Sequence, residues 1–168
     1  MLVVHATKKF LDRVGRPTAA ADEQSTTALG SWYATVLFWK PQVALFVNET
    51  TLLPLLMPFA PAATVLARFP AALERVLAAH GVDPRFVDAE LAAMAERRLA
   101  KTASRSLLGT MNEFSYLADA HRGGAPDDLH ALSLQLARTP CGRLYKTHVF
   151  PHRALAAVVD GTPGLSVT

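Results

Sequence analysis

The sequence predicts an α+β fold, with an N-terminal antiparallel sheet of three to five strands packed against a helical C-terminal half. Runs rich in aromatic and β-branched residues cluster before residue 58, and segments with helical apolar spacing dominate after residue 61. Strands first and helices second is the α+β order. Apolar residues make up 51% of the chain and charged residues 18%, which excludes a disordered chain. The 168 residues suit one domain, expected over residues 1–160, with a flexible tail at 161–168.

Leu2 to Ala6 reads as a short strand. Thr7 is placed to cap a helix running to Val14, with Phe10, Leu11 and Val14 as its apolar face and Gly15 as its stop. Residues 16–30 are small and polar without a period, a long loop of the kind often tied to function. Ser31 to Lys40 is the clearest strand, Pro41 and Gln42 form a turn, and Val43 to Val47 is a second strand, apolar at every position and so buried on both faces. A turn at Asn48 to Thr51 leads to a third strand, Leu52 to Met57, which Pro54 marks as an edge. Connections this short make the three strands an antiparallel meander.

Beyond Pro61, Val65, Leu66, Phe69, Leu73, Val76 and Leu77 keep a helical period across Pro70, predicting a kinked helix or two short ones that end at Gly81. Asp83 caps a helix with Pro84 at its first position, expected to run to about Arg98. A third helix covers Ser106 to His121 and stops at Arg122-Gly123-Gly124. Asp127 or Asp128 opens a fourth that ends before Thr139-Pro140. Leu144 to Phe150 reads as a late strand returning to the sheet, and His152 to Val159 is too short to assign from its pattern.

The 17 basic and 14 acidic residues leave a net charge of +3, which permits an anionic partner without demanding one. The single cysteine, Cys141, excludes an internal disulfide framework and a multi-cysteine zinc site. The opening MLVVHATKKF lacks the order of a signal peptide, so a cytoplasmic protein is expected. Thr50 to Ala67 carries no charge, yet Pro54, Pro58 and Pro61 interrupt it, and the expectation is no membrane span.

The densest chemistry lies in RRLAKTASRSLLGTMNEF, residues 97–114. Arg97, Arg98, Lys101 and Arg105 place four cations close together with no acid among them. On a continuous helix Arg97, Lys101 and Arg105 would form one column, which repels itself unless an anion lies against it. The alternative is a solvated cluster near a helix C-terminus. Ser104 or Ser106 can cap the next helix, and Arg105, Gly109, Asn112 and Tyr116 share a stripe along it. Glycine inside a helix costs about 1 kcal/mol relative to alanine, which a close approach at Gly109 would offset.

ATKKFLD, SWYATVLFW, LFVNETTLLP and KTASRSLLGTMNEF occur in that order. With them the chain resembles, over residues 1–121, a family of small bacterial proteins known as a domain of unknown function. It is similar in part to a plasmid-encoded uncharacterised family. The resemblance implies the domain's extent and no activity. Relatives carry a histidine after the strand tryptophan where this chain has Tyr33, so no catalytic role carries over to that position.

Weaker candidates fall away. His148 and His152 have a metal-ligand spacing, but Pro151 between them breaks the helix that would align them. Cys141 lacks the context of a nucleophile, and no Walker loop, GxGxxG or GxSxG occurs. No metal and no cofactor is expected. Trp32 and Trp39 point to opposite faces of one strand, one in the core and one free to stack on a base.

The leading expectation is therefore a binding module with a basic and polar groove for an anionic ligand, nucleic acid first among polymers. The sheet would be its floor and the helices around residues 97–116 its walls. Lys101 and Arg105 would hold phosphate, Asn112 would make a directional hydrogen bond, and Ser106, Trp32 and Lys8 would complete the site. A second reading is a small hydrolase or nuclease with Glu113 as base and Lys101 or Arg105 stabilising negative charge. Glu113 and Arg105 then lie about 80° apart around the helix. A third is a protein-interaction module, antitoxin-like or regulatory and open to homo-oligomerisation, that uses an exposed apolar strand edge near Pro54.

Overall fold

A computed structural model of the chain describes residues 1–122 and 128–162. The expected helix stop at Gly123-Gly124, a start at Asp127 and most of the tail lie outside the described residues. The strands are β1 (Leu2–Ala6), β2 (Trp32–Leu37), β3 (Val43–Asn48), β4 (Pro54–Pro58) and β5 (Arg97–Lys101). They form one sheet in the order β4-β3-β2-β1-β5. The helices are α1 (Lys8–Val14), α2 (Val65–Ala79), α3 (Pro84–Ala93), α4 (Arg105–Arg122), α5 (Leu129–Leu136) and α6 (Pro151–Asp160). The class is α+β, as expected.

The sheet is mixed. The β2–β3–β4 meander is antiparallel, as its short turns require, whereas β1 pairs in parallel with both β2 and β5. Side chains alternate between the two faces with the period of two that strands impose. Leu2, Val4, Ala6, Trp32, Ala34, Val36, Phe46 and Leu55 enter one core with α1, α2 and α3. Tyr33, Leu37, Leu45, Val47 and Leu56 enter the other under α4. Burial on both faces accounts for the unbroken apolar run in β3. In the first core Trp32 meets Phe69 edge-on at 5.1 Å, and Phe10 meets Phe46 and Phe59 at 6.0 and 5.5 Å.

Three expectations are corrected. The helix opened by Asp83 ends at Ala93, not near Arg98, and Arg97–Lys101 is strand β5. The free edge of β1 decides this: five residues pair in register from Leu2–Arg97 to Ala6–Lys101, and Leu99 drops into the core beside Val4. Arg97, Lys101 and Arg105 therefore form no helical column. Leu144 to Phe150 is not a strand but a single turn at Gly142–Leu144 followed by irregular turns. Val149 takes the left-handed region there (φ 66°), and the Cys141 N–H donates to its carbonyl at 2.8 Å. The β4 edge is not open either. Pro54 to Met57 are buried, and the Leu56 N–H donates to the Ser133 hydroxyl of α5 at 2.8 Å. An outside strand could not add there without displacing α5.

The remaining elements follow the pattern. Asp83 accepts from the Arg85 N–H and Asp128 from the Ala131 N–H, each capping its helix. One helix runs through Pro70, and His152 to Val159 belongs to α6. The long loop is held along the sheet, with the Thr18 and Ala19 N–H groups donating to Leu99 O and Thr26 N–H to Met1 O. No helix among the described residues is long and apolar enough to cross a membrane.

At the edge of the sheet where β1 and β2 begin, Asn48 knots the turns together. Its amide donates to the Leu29 and Ser31 carbonyls at 2.9 and 3.3 Å. Its carbonyl accepts from the Thr50 and Thr51 N–H groups and the Thr51 hydroxyl. That network holds the turn containing Leu52, a left-handed non-glycine residue (φ 59°). Beside it the buried Glu90 carboxylate accepts from the Ala28 and Leu29 N–H groups at 2.9 and 3.1 Å.

Candidate anion-binding site

The opposite edge, where β1, β2, β4 and β5 end, is built differently. Residues 7–17, 38–42 and 101–106 meet there, and they hold Lys8, Lys9, Arg13, Arg16, Lys40, Lys101 and Arg105 against one acid, Asp12. Asp12 pairs with Lys8 at 3.3 Å, one turn along α1, with both side chains largely exposed. Solvent screens such a pair, so it leaves the excess positive charge in place. The edge where the strands begin carries Asp22, Glu23, Glu49, Glu90 and Glu96 over residues 20–31, 48–53 and 90–98, against Arg97 and Arg98. There Arg98 bridges Glu23 and Glu96 at 2.8 and 2.6 Å, so its charge is spent within the edge. The mild net charge of the chain thus hides a segregation across the sheet.

At the basic edge a cavity of about 630 Å³ opens between α1, the chain after Gly15, and the end of β5. Lys8 and Lys101 both line it, with Arg16 and Thr102. Two residues singled out from the sequence, more than ninety apart in the chain, are thereby brought together. The cause is topological: parallel β1 and β5 end side by side at the Ala6–Lys101 pair, and α1 starts directly after β1. Arg105 and Ser106 stand exposed on the first turn of α4, which Ser104 caps by accepting from the Leu107 N–H at 3.2 Å.

Asn112 and Glu113 lie elsewhere. Both are exposed on α4 and line a separate cavity of about 420 Å³ with Gly109, Tyr116, Pro140 and Cys141. Lys101 and Lys8 do not line it, and Gly109 has open space where a side chain would stand. The single groove with its sheet floor and helical walls is thus two cavities in two places. Burial, and to a lesser degree Glu113, push the Cys141 thiol up to about 11, the opposite of an activated nucleophile. Trp32 is wholly buried and presents no face to a ligand, whereas Trp39 is half-buried with the Arg122 guanidinium 4.3 Å over its ring.

Sequence reasoning missed two features of this end. His5, buried on β1, stacks on Tyr33 at 4.9 Å with its Nδ1 3.1 Å from the Lys101 carbonyl. Among the described residues its Nε2 has no partner. Burial first, and Glu49 second, hold the Tyr33 phenol above its ordinary value, opposed by the Ala103 and Ser104 N–H groups and Arg143. Phe38 is the second feature, exposed just past the end of β2 with Lys9 and Arg13 of α1 beside it. A phenylalanine near the end of a predicted strand, two residues before a lysine, was its only signal.

A family model described as a domain of unknown function, DUF6933, matches residues 3–154. The chain belongs to that family. The match takes in all five strands of the DUF6933 domain, both cavities, and the chain as far as the first turn of α6. None of the curated proteins compared, and none of the solved structures, matches it. Among the described residues no group of three or more histidine, cysteine or acidic side chains is placed to hold a metal ion. Within the site itself cations outnumber the one acid: Lys8, Arg16 and Lys101 line the cavity together with Asp12.

Proposed function

We propose that this DUF6933 domain is a cytoplasmic binding module for an anionic ligand, with nucleic acid as the polymer its basic edge fits. The segregation of charge carries the reading. Seven cations against one acid on one edge hold a ligand by charge and release its counterions, while the acidic edge repels it. Lys8 and Lys101 hold a phosphate at the cavity, and Arg105 and Ser106 extend the contact along the start of α4. Asn112 lies about 10 Å further along that helix, at the rise of a regular turn, and meets only a ligand long enough to reach it. The hydrolase reading has less support, because Glu113 shares no cavity with Lys101, and burial keeps the thiol beside it, Cys141, protonated.

Fluorescence anisotropy with a labelled oligonucleotide, repeated across a salt series, tests this. Affinity is expected to fall steeply as salt rises. The Lys8→Ala, Lys101→Ala double variant should show a log–log slope shallower by roughly 1.5 to 2, the loss of two phosphate contacts. A flat salt response in the parent protein sinks the reading.

A further inference from the structure

The chain has eight phenylalanines. Phe10, Phe46, Phe59, Phe69, Phe86 and Phe114 are buried, at 2% exposure or less, and Phe150 is partly covered. Phe38 alone is 57% exposed. Its position explains the exposure without explaining the residue. It follows Leu37, the last residue of β2, on the face toward α1 but beyond the reach of the core. A lone exposed apolar side chain is ordinary on a surface, so any partner for Phe38 has to be read from what surrounds the ring.

The surroundings say what kind. The Lys9 ammonium lies 5.2 Å and the Arg13 guanidinium 5.8 Å from the ring centroid, both near the outer limit of a cation–π contact. Lys40 is two residues on, and Arg13 also donates to the Gln42 side chain at 2.7 Å, which fixes it over the β2–β3 turn. Lys9 follows Lys8 on α1, so Phe38 and the cavity lined by Lys8 and Lys101 share the basic edge of the sheet, with Asp12 as its one acid. A flat apolar ring with cations around it is the arrangement that takes an unpaired base on the ring and its flanking phosphates on the cations. A duplex keeps its bases stacked inside and offers such a ring nothing but backbone.

We infer that the basic edge takes single-stranded rather than double-stranded nucleic acid, with Phe38 as the stacking platform for one base and Lys9 and Arg13 holding the phosphates beside it. This rests on the anion-binding reading above and narrows it to a strand class. The test measures binding of three probes of matched charge: a single-stranded oligonucleotide, its duplex, and inorganic polyphosphate. Phe38→Leu keeps an apolar side chain and removes the π-face, and Phe38→Trp enlarges it. The parent protein should prefer the single strand. Phe38→Leu should weaken that probe roughly 5- to 150-fold, the range of one base–aromatic stack, and leave polyphosphate binding unchanged. Phe38→Trp should bind the single strand at least as well as the parent does. Equal affinity for duplex and single strand, or an unaltered single-strand affinity in Phe38→Leu, overturns the stacking inference while the anion reading stands. Failure of all three probes to bind overturns both.

Discussion

The two edges of the sheet are made of similar loops and end in opposite states. Where β1 and β2 begin, the polar groups are turned inward and, save for the Trp32 indole N–H, matched. Asn48 uses both ends of its amide, Glu90 accepts two backbone N–H groups, and Arg98 is shared by two carboxylates. Where those strands end, the charged groups are turned outward and left in excess, a cavity opens between two strand ends, and an aromatic ring stands in solvent. The difference teaches which edge holds the fold and which is free to bind. Buried polar groups persist only when satisfied, because leaving one unpaired costs 1–3 kcal/mol or so. An exposed cation carries no such obligation and is open to a partner.

The contrast breaks first at Asn48. Replacing it with alanine takes the side-chain partner from the Leu29 carbonyl and from the Thr50 and Thr51 N–H groups, and removes one of two bonds at the Ser31 carbonyl and the Thr51 hydroxyl, around a turn that already holds Leu52 in the left-handed region. Even with water reaching some of these groups, Asn48→Ala should lower unfolding free energy by about 3 kcal/mol or more, measured by urea denaturation. A loss below about 1 kcal/mol would mean that the turn holds itself without the amide, and that the edge is not the structural knot described.

Glu90 sharpens the same edge with pH. Burial raises its folded pKa above the ordinary 4.5, against the lowering effect of the Leu29 and Ala28 N–H groups. Above 4.5 the unfolded chain loses this proton before the folded protein does, so the folded state binds more protons across the window. Stability contributed here is full below the ordinary value and declines as pH rises through the folded one. The stability of the parent relative to Glu90→Gln should therefore be greatest below the ordinary carboxyl value and drop as pH rises above it, because the neutral amide does not titrate. A pH-independent difference between the two would show that the carboxyl keeps its ordinary pKa in the fold.

Much of this was legible in the sequence, and the failures have physical causes. The β2–β3–β4 meander was readable because its turns are too short for any pairing but antiparallel. The caps at Asp83 and Asp128 were readable because their chemistry is local. Strand β5 was not. RRLAK has the composition of a helix end, and only the unpaired edge of β1, ninety residues away, makes it a strand. The same non-local pairing puts Lys101 beside Lys8 and takes it away from Asn112 and Glu113, so the candidate residues fall at two places and not in one groove. In the segment from Leu144 to Phe150 residues common in strands imitated one, while a backbone hydrogen bond between Cys141 and Val149 closes it into a turn. Asn48 was overlooked because an asparagine in a turn is ordinary until its partners across the sheet are seen.

The smallest expected effect is also the one that separates the two edges most sharply. Lys8 and Lys101 are exposed, and among the described residues their one ion pair, Lys8 with Asp12, lies in solvent. Removing both side chains takes away repulsion between neighbouring cations along with that weak attraction. The double variant Lys8→Ala, Lys101→Ala should unfold within about 0.5 kcal/mol of the parent in the urea experiment that collapses Asn48→Ala. A loss several times larger would place the two lysines among the groups that hold the fold, and the basic edge would then be part of the scaffold. If stability holds while the salt dependence of oligonucleotide binding flattens, charge at this edge serves a ligand and not the fold.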